Sequence, residues 1–320
     1  MTPPRPPRPT MRAVSQESLG GPEVLAVVDL PRPAPRTNEI LIRVEAASVN
    51  PTDWKNRAGR GLIGEPPFVL GWDLSGVVEE VGIGVARFSP GDEVYGMLSY
   101  PFGHGAHAEY VSAPASWFAP KPVSLDHVQA AALPLVGLTA WQALVEYAAI
   151  EPGQRVLIHA AAGGVGHVAV QIAKARGAHV IGTASAAKHD FLRELGADEV
   201  IDYRDTSIAD AVSGVDVVFD TIGGETALES LRVLRPGGTL VSILPVGSDE
   251  LFAEADRLGV RALRMLVDSS RHNLYSLTDL VDRGALRPTI AAVFPLDEAP
   301  EAHRLGETGR TTGKMVLTPR

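Results

Sequence analysis

Cysteine is absent from all 320 residues. That removes disulfides, thiol nucleophiles and every cysteine-based metal site in one step. It leaves the redox compartment open. Long apolar runs are missing too. The longest apolar region, Val128 to Ile150, is broken by Gln129, Pro134, Gln142 and Glu146, so no transmembrane helix is expected. Positive charge is in deficit: 29 Lys and Arg stand against 38 Asp and Glu, a net charge of −9. This argues against nucleic acid or an anionic membrane as partner, since both attract basic surfaces. No signal peptide is evident, which favours the cytoplasm, and no internal repeat is found. What remains, 45 % hydrophobic and 21 % charged residues, is the balance of a soluble globular protein long enough for two domains.

Residues Met1 to Thr10 are proline and arginine apart from Met1 and two threonines, and read as a disordered tail. From Met11 to about Pro120 the pattern is β. Ile40, Ile42 and Val44 alternate within Glu39–Val49, and Asn50-Pro51-Thr52-Asp53 marks a turn. Further strands are expected at Ser75–Gly82, Glu93–Tyr95 and His107–Ser112, a spacing that suggests a small barrel. From about Val123 the period changes. A helix is expected over Asp126–Tyr147, interrupted near Pro134, and then strands and helices alternate. Strands are read at Val156–Ile158, His179–Thr183, Val200–Ile201, Val215–Phe219 and Thr239–Ser242. Helices are read at Val165–Arg176, Ala187–Leu195, Ser207–Val212 and Thr226–Leu234. Such alternation implies an α/β fold with a doubly wound parallel sheet. Beyond about Val260 a helix near Leu274–Arg283 and a strand at Met315–Leu317 close the chain.

The stretch Ala160 to Gly166 organises this second half. A buried strand precedes it, and Val165, Val168, Ala169, Ile172 and Ala173 follow at helical spacing. Glycines in a strand-to-helix turn cradle a dinucleotide phosphate, because free backbone N–H groups and the helix dipole face the anion. The residues expected to do so are Ala162, Gly163, Gly164, Val165 and Gly166, with Ala161 standing where the first glycine of the pattern belongs. At the end of the next strand an acid for the ribose hydroxyls of NAD is expected, and Thr183-Ala184-Ser185-Ala186-Ala187-Lys188 has none. Lys188 and the Ser185 hydroxyl would hold a 2′-phosphate, which argues NADP(H) over NAD(H). The plainer alternative is a solvated helix lysine.

These segments, with Ser48-Val49-Asn50-Pro51-Thr52-Asp53-Trp54-Lys55, Gly71-Trp72-Asp73-Leu74-Ser75-Gly76-Val77-Val78, Gly91-Asp92-Glu93-Val94-Tyr95-Gly96, Leu133-Pro134, Gly137-Leu138-Thr139-Ala140 and Gly313-Lys314-Met315-Val316-Leu317, carry a resemblance. The chain resembles the zinc-free quinone oxidoreductase branch of the medium-chain dehydrogenase/reductase superfamily, which includes zeta-crystallin and the plant enone oxidoreductases. The resemblance implies a Rossmann NADP-binding domain over 123–262 inserted into a GroES-like β-barrel catalytic domain over 11–122 and 263–320. It also implies a homodimer.

Zinc-dependent relatives have a cysteine at Asn50 and Gly-His-Glu at Gly71-Trp72-Asp73, so no metal is expected. His104 and His107 read as part of a solvated loop. Without a Lewis acid the easier chemistry is hydride delivery to a quinone or an α,β-unsaturated carbonyl. By resemblance Asn50 lies beside the nicotinamide, and it could equally form an Asx turn before Pro51. Lys55 could place its ammonium near the substrate oxygen or be a surface lysine, and Tyr95 could donate a proton or pack. Thr139, Tyr203, Ile222 and Ile243 are implied cofactor contacts, while Lys314 is either a cofactor contact or a strand-end charge. The expected activity is an NADPH-dependent, zinc-independent reductase of quinones or enones. A zinc-free alcohol or ketone dehydrogenase and a non-catalytic NADPH-binding protein are the alternatives.

Overall fold

The computed structural model describes residues 9–244 and 248–319. They form two compact units. One holds the chain up to Pro134, Ser269–Arg271 and everything from Ile290; the other holds Leu135–Asp268 and His272–Thr289. In chain order the first unit contributes β1 (Thr10–Gln16), β2 (Ala26–Pro31), β3 (Glu39–Val49), α1 (Pro51–Arg57), β4 (Phe68–Val69), β5 (Asp73–Val81), β6 (Glu93–Met97), β7 (Tyr110–Pro114), β8 (Phe118–Pro120) and α2 (His127–Ala131). There follow α3 (Pro134–Trp141), β9 (Arg155–Ile158), α4 (Gly166–Ala175), β10 (His179–Ala184), α5 (His189–Glu194), β11 (Glu199–Asp202), α6 (Ile208–Ala211) and β12 (Val215–Asp220). Next come α7 (Gly224–Leu231), β13 (Leu234–Ser242), α8 (Ser248–Leu258), β14 (Arg261–Arg264) and α9 (Arg271–Asp282). The chain returns as β15 (Ile290–Pro295), α10 (Ala299–Glu307) and β16 (Lys314–Thr318).

In the first unit β3 is the strand on which closure turns. It pairs with β7 over Glu39–Arg43, with β5 over Ile40–Ala47 and with β16 over Ala47–Val49. Two register shifts against β5 increase the local twist. A strand whose neighbours change along its length curls the sheet on itself, which gives the GroES-like barrel. A smaller sheet, β2-β1-β4, is linked to it by the Ala13–Ala108 bridge.

The second unit is a Rossmann sheet in the order β11-β10-β9-β12-β13-β14, parallel throughout. Its central strands are buried, as their unbroken apolar runs require. Strand order reverses between β9 and β12, so the ligand crevice of this fold lies at their carboxyl ends.

Several expectations need correction. The second unit begins at Leu135 rather than 123, because α2 packs on β3 and β5 of the barrel. It ends at Thr289 rather than 262. There β14 extends the parallel sheet, and α9 buries Leu274, Leu277, Leu280 and Val281. Of the expected tail, residues 1–8 lie outside the described residues, whereas Thr10 is in β1, opposite Pro31. Asn50–Asp53 is no free turn: extended Asn50 caps α1, with Pro51 at its first position. The helix over Asp126–Tyr147 is three pieces, α2, α3 and a π-helical turn at Gln142–Tyr147. β13 runs through Pro236-Gly237-Gly238, which a register shift against β12 absorbs.

Candidate active site

The cofactor-side geometry belongs to the second unit. After β9, Ala160 takes a left-handed conformation (φ 45°) that an alanine adopts at a cost of about 1 kcal/mol. Thr183 holds it there: Ala160 N–H donates to Thr183 Oγ1 at 3.2 Å and Ala161 N–H to Thr183 O at 3.0 Å. Strain thus falls on Ala160, one residue before the position where the glycine pattern is broken. Gly163 N–H donates to Ala160 O at 2.8 Å. A Cβ on Gly166 would lie 2.3 Å from that same oxygen and 2.6 Å from Ala161 Cα, so α4 approaches the turn only because Gly166 has none. His167 Nδ1 donates to Gly163 O at 2.9 Å, and its Nε2 accepts from Thr289 N–H at 3.0 Å, which fixes a neutral tautomer. Gly163, Gly164, Val165 and Ala162 therefore sit in a turn held from three sides.

Beneath it, His159 is buried. Its Nε2 meets Ser230 Oγ at 2.8 Å, and because that hydroxyl donates to Thr226 O at 2.6 Å, the imidazole is the donor. Nδ1 lies 3.3 Å from Thr183 Oγ1, and burial pushes the imidazole pKa down. Asp220 does the corresponding work at β12. It accepts from Ile222 N–H at 3.0 Å, Gly223 N–H at 2.8 Å and Ser242 Oγ at 2.7 Å. Ile222 and Ile243 are thus brought to the same end of the sheet, Ile222 exposed and Ile243 half-buried. Thr139 lies in α3, buried, its hydroxyl donating to Leu135 O at 2.7 Å.

Ser185 and Lys188 border a short 3-10 turn after β10, both half-buried. Tyr203, after β11, is exposed, with the Arg204 guanidinium 5.6 Å from its ring centre. Burial, and then Arg204, lower the Lys188 pKa, so two cations neighbour each other there. Asp202, which ends β11, and Arg204 just after it had no sequence signal, since the dinucleotide pattern does not use the acids of that strand.

The first unit holds a buried polar network around Asn50. Its amide nitrogen donates to Asp73 Oδ1 at 2.8 Å and to Ser48 Oγ at 3.3 Å, and its oxygen accepts from the Lys314 ammonium, which also donates to Val49 O at 2.9 Å. Ser48 Oγ donates to Asp73 at 2.7 Å. Every polar atom of the Asn50 side chain is used here, so Asn50 orients its surroundings rather than offering a donor. Asp53 accepts from Asn50 N–H at 2.6 Å and Gly71 N–H at 2.9 Å, and burial raises its pKa to about 7. Lys314 is buried within this unit and is no strand-end charge at the surface.

His107, expected in a solvated loop, is wholly buried against Gly71, where a Cβ would lie 2.5 Å from its ring. Its Nε2 meets Ser48 O at 3.1 Å, and burial lowers its pKa to about 4. His104 Nδ1 meets Val69 O at 2.8 Å. Arg57, also buried, bonds His303 Nδ1 at 3.0 Å and Glu307 at 2.6 Å. Lys55 is exposed on α1 with no side-chain hydrogen bond or ion pair among the described residues, whereas Tyr95 is wholly buried in β6. Asp73, Asp53 and Ser48 stood within the quoted motifs, but only the fold shows them converging.

Comparison with known proteins supplies the family. Residues 36–123 match alcohol dehydrogenase GroES-like domains and residues 195–317 match zinc-binding dehydrogenases. A mitochondrial NAD(P)H oxidoreductase of Mus musculus is 36% identical over 88% of this chain and 81% of its own. The 2-haloacrylate reductase of a Burkholderia species is 35% identical over 94% and 96%. The structure of the quinone oxidoreductase of Coxiella burnetii superposes with a TM-score of 0.93 at 40% identity, covering 98% of this chain and 100% of that one. The chain belongs to the quinone oxidoreductase branch of the medium-chain dehydrogenase/reductase superfamily. It is an NAD(P)H-dependent oxidoreductase.

The family description implies zinc, and the residues of this oxidoreductase do not fit it. Among the described residues no group of three or more His, Asp or Glu converges as ligands, and the Asn50 side chain is already engaged by Asp73 and the Lys314 ammonium. A nicotinamide dinucleotide is compatible with the residues present: Gly166, where a Cβ would lie 2.3 Å from Ala160 O, lets α4 begin directly against the end of β9, and a helix N-terminus so placed is suited to an anion such as a pyrophosphate.

Proposed function

We propose that the oxidoreductase uses NADPH to reduce a quinone or the C=C bond of an α,β-unsaturated carbonyl, without zinc. The observation that carries this reading is the commitment of the Asn50 side chain to Asp73 and to the Lys314 ammonium. With the donor atoms around Asn50 engaged internally, a simple ketone would lack a Lewis acid to polarise it, whereas a conjugated acceptor is already electron-poor. When bound, NADPH supplies the hydride, and the protein binds and orients both reactants. The turn Ala162–Gly166 is proposed to cradle the pyrophosphate. Thr139, Ile222 and Ile243 flank the nicotinamide half, and Ser185, Lys188 and Tyr203 take the adenosine phosphate. On the acceptor side, the exposed Lys55 ammonium is proposed to meet the substrate oxygen, with Asn50 as a positioning residue and buried Tyr95 as packing. The relatives named for quinone and haloacrylate reduction support this acceptor class.

The test is NADPH and NADH oxidation against quinones, 2-alkenals, cyclic enones and simple ketones. Turnover of quinones or enones with NADPH is expected. Activity confined to simple ketones, or tight NADPH binding with no turnover, would overturn the reading. Lys188→Ala should weaken NADPH about 10–100-fold, the worth of a charged hydrogen bond, and NADH little. No helix among the described residues is long and apolar enough to cross a membrane, and we propose a cytoplasmic homodimer. The outer edge of β14, with half-buried Ala262 and Leu263 between two arginines and exposed Leu266 beyond, supports pairing there. A monomer mass in sedimentation equilibrium would rule that out.

A further inference from the structure

The acid that the dinucleotide pattern places after the second strand of the sheet is missing, yet an acid stands one strand away. Asp202 ends β11, in register with Ala184 of β10. One of its carboxylate oxygens accepts from Ala186 N–H at 2.7 Å, in the turn that carries Ser185 and Lys188. The other accepts from Arg204 N–H at 3.0 Å, in the turn that carries Tyr203 and Arg204. Its own carbonyl closes that second turn, accepting from Asp205 and Thr206 N–H, each at 3.2 Å. One side chain therefore ties together the main chains of two adjacent turns, each bearing a cation. The Arg204 guanidinium makes no hydrogen bond or ion pair of its own among the described residues, and lies over Tyr203.

We propose that Asp202 is a positioning residue for the adenosine end of the cofactor: it clamps the Lys188 and Arg204 turns side by side, so that both cations face one dianionic 2′-phosphate, with Arg204 as the second phosphate-binding charge. The inference rests on the NADP(H) reading above. Consistent with the clamp, the Arg204 N–H bond and then the Ala186 N–H bond are the chief influences holding the Asp202 carboxyl below the usual carboxylate range. His189 and Arg204 add to the effect. Burial first and then Arg204 depress the Lys188 ammonium, and the second of these is a like-charge repulsion that a bound phosphate would relieve.

The sign of one substitution separates this role from simple electrostatics. If Asp202 acted on the cofactor only through its charge, removing a carboxylate near a phosphate would tighten NADPH. If it acts as a clamp, Asp202→Asn keeps one acceptor oxygen, loses the second main-chain bond, lets the turns part and weakens NADPH. Fluorescence titration of the full chain with NADPH and with NADH decides. For Asp202→Asn the NADPH Kd is expected to rise by about 3–10-fold and the NADH Kd to stay within about twofold. For Arg204→Ala, a surface change that leaves the clamp bonds in place, NADPH should weaken by about 10-fold, again with little effect on NADH. Unchanged or tighter NADPH in Asp202→Asn, or an equal loss of both cofactors, would overturn the clamp. Lys188→Ala, measured beside it, isolates the parent reading. If its NADPH/NADH preference matches the wild type, the NADP(H) reading itself falls. If Lys188→Ala loses the preference while Asp202→Asn and Arg204→Ala keep it, only the present inference falls.

Discussion

Lys314 is a long, charged side chain held in the interior of the barrel unit, and its worth depends on what it compensates. The ammonium serves Asn50 Oδ1 and Val49 O, and Asp73 and Asp53 counter the cost of its burial. Removing one member of a buried ionic group strands the others, which typically costs about 3–5 kcal/mol. Lys314→Met should therefore lower the free energy of unfolding in urea by about that much. Adding Asp73→Asn to it should recover at least about 1 kcal/mol, because the stranded carboxylate is then neutral. A loss below about 1 kcal/mol for Lys314→Met would show that the network contributes little.

At the scale of an element, the junction of β9, the phosphate turn and α4 is the most constrained in the second unit. Gly166 faces main-chain atoms that cannot rotate away, 2.3 Å from its virtual Cβ, whereas the nearest atom to a Cβ on Gly163 is 3.1 Å off. Gly166→Ala should push α4 back, lowering stability by about 1–3 kcal/mol, as overpacking does. NADPH Kd should rise about 10-fold or more, because the N-terminal N–H groups of the helix lose the approach they provide. Gly163→Ala should cost less stability. Wild-type NADPH affinity in Gly166→Ala, measured by titration, would contradict this account.

For the whole molecule, acid stability is set by groups that the fold keeps uncharged. Burial lowers His107 to about 4, below its unfolded value of about 6.5, and also lowers His159 and His303. The stability these imidazoles contribute is complete above about pH 6.5 and is lost as the pH falls through that value towards 4. For His107 alone that amounts to about 3 kcal/mol. Asp53 acts in the opposite sense. Its carboxyl is raised to about 7, so its contribution is complete below the unfolded value of about 3.9 and is lost as the pH rises through 7. Four imidazoles with lowered pKa, those of His107, His127, His159 and His303, stand against the raised Asp53 carboxyl, so the histidines dominate below about pH 6.5, and Asp53 loses the last of its contribution just above it. The urea midpoint should peak near pH 6.5, fall steeply towards pH 4.5 and decline gently towards pH 7.5. A midpoint that rises steadily on acidification would mean that Asp53 outweighs the histidines.

Local pattern alone determined the alternation of strand and helix from Val156 to Ser242, the glycine turn and the absence of cysteine ligands, because each depends on neighbours within a few residues. It also located β3, β5, β6 and β16, whose apolar spacing or flanking turns are strong. The strands of the small sheet, β1, β2 and β4, escaped it, as did α8 and α10 on the flanks. So did the unit boundary, which depends on what α2 and α9 pack against rather than on their own composition. The site divided along the same line. Gly166 and Lys188 were legible as types at a spacing. That Asn50 turns its whole amide to Lys314 and Asp73, that His107 is buried rather than solvated, and that Asp202 reaches across to the turn of Lys188 were decided by the tertiary structure. Each of these bonds joins residues at least 16 positions apart, or in the case of Asn50 and Lys314 264 apart, and a linear pattern carries no record of such a pairing.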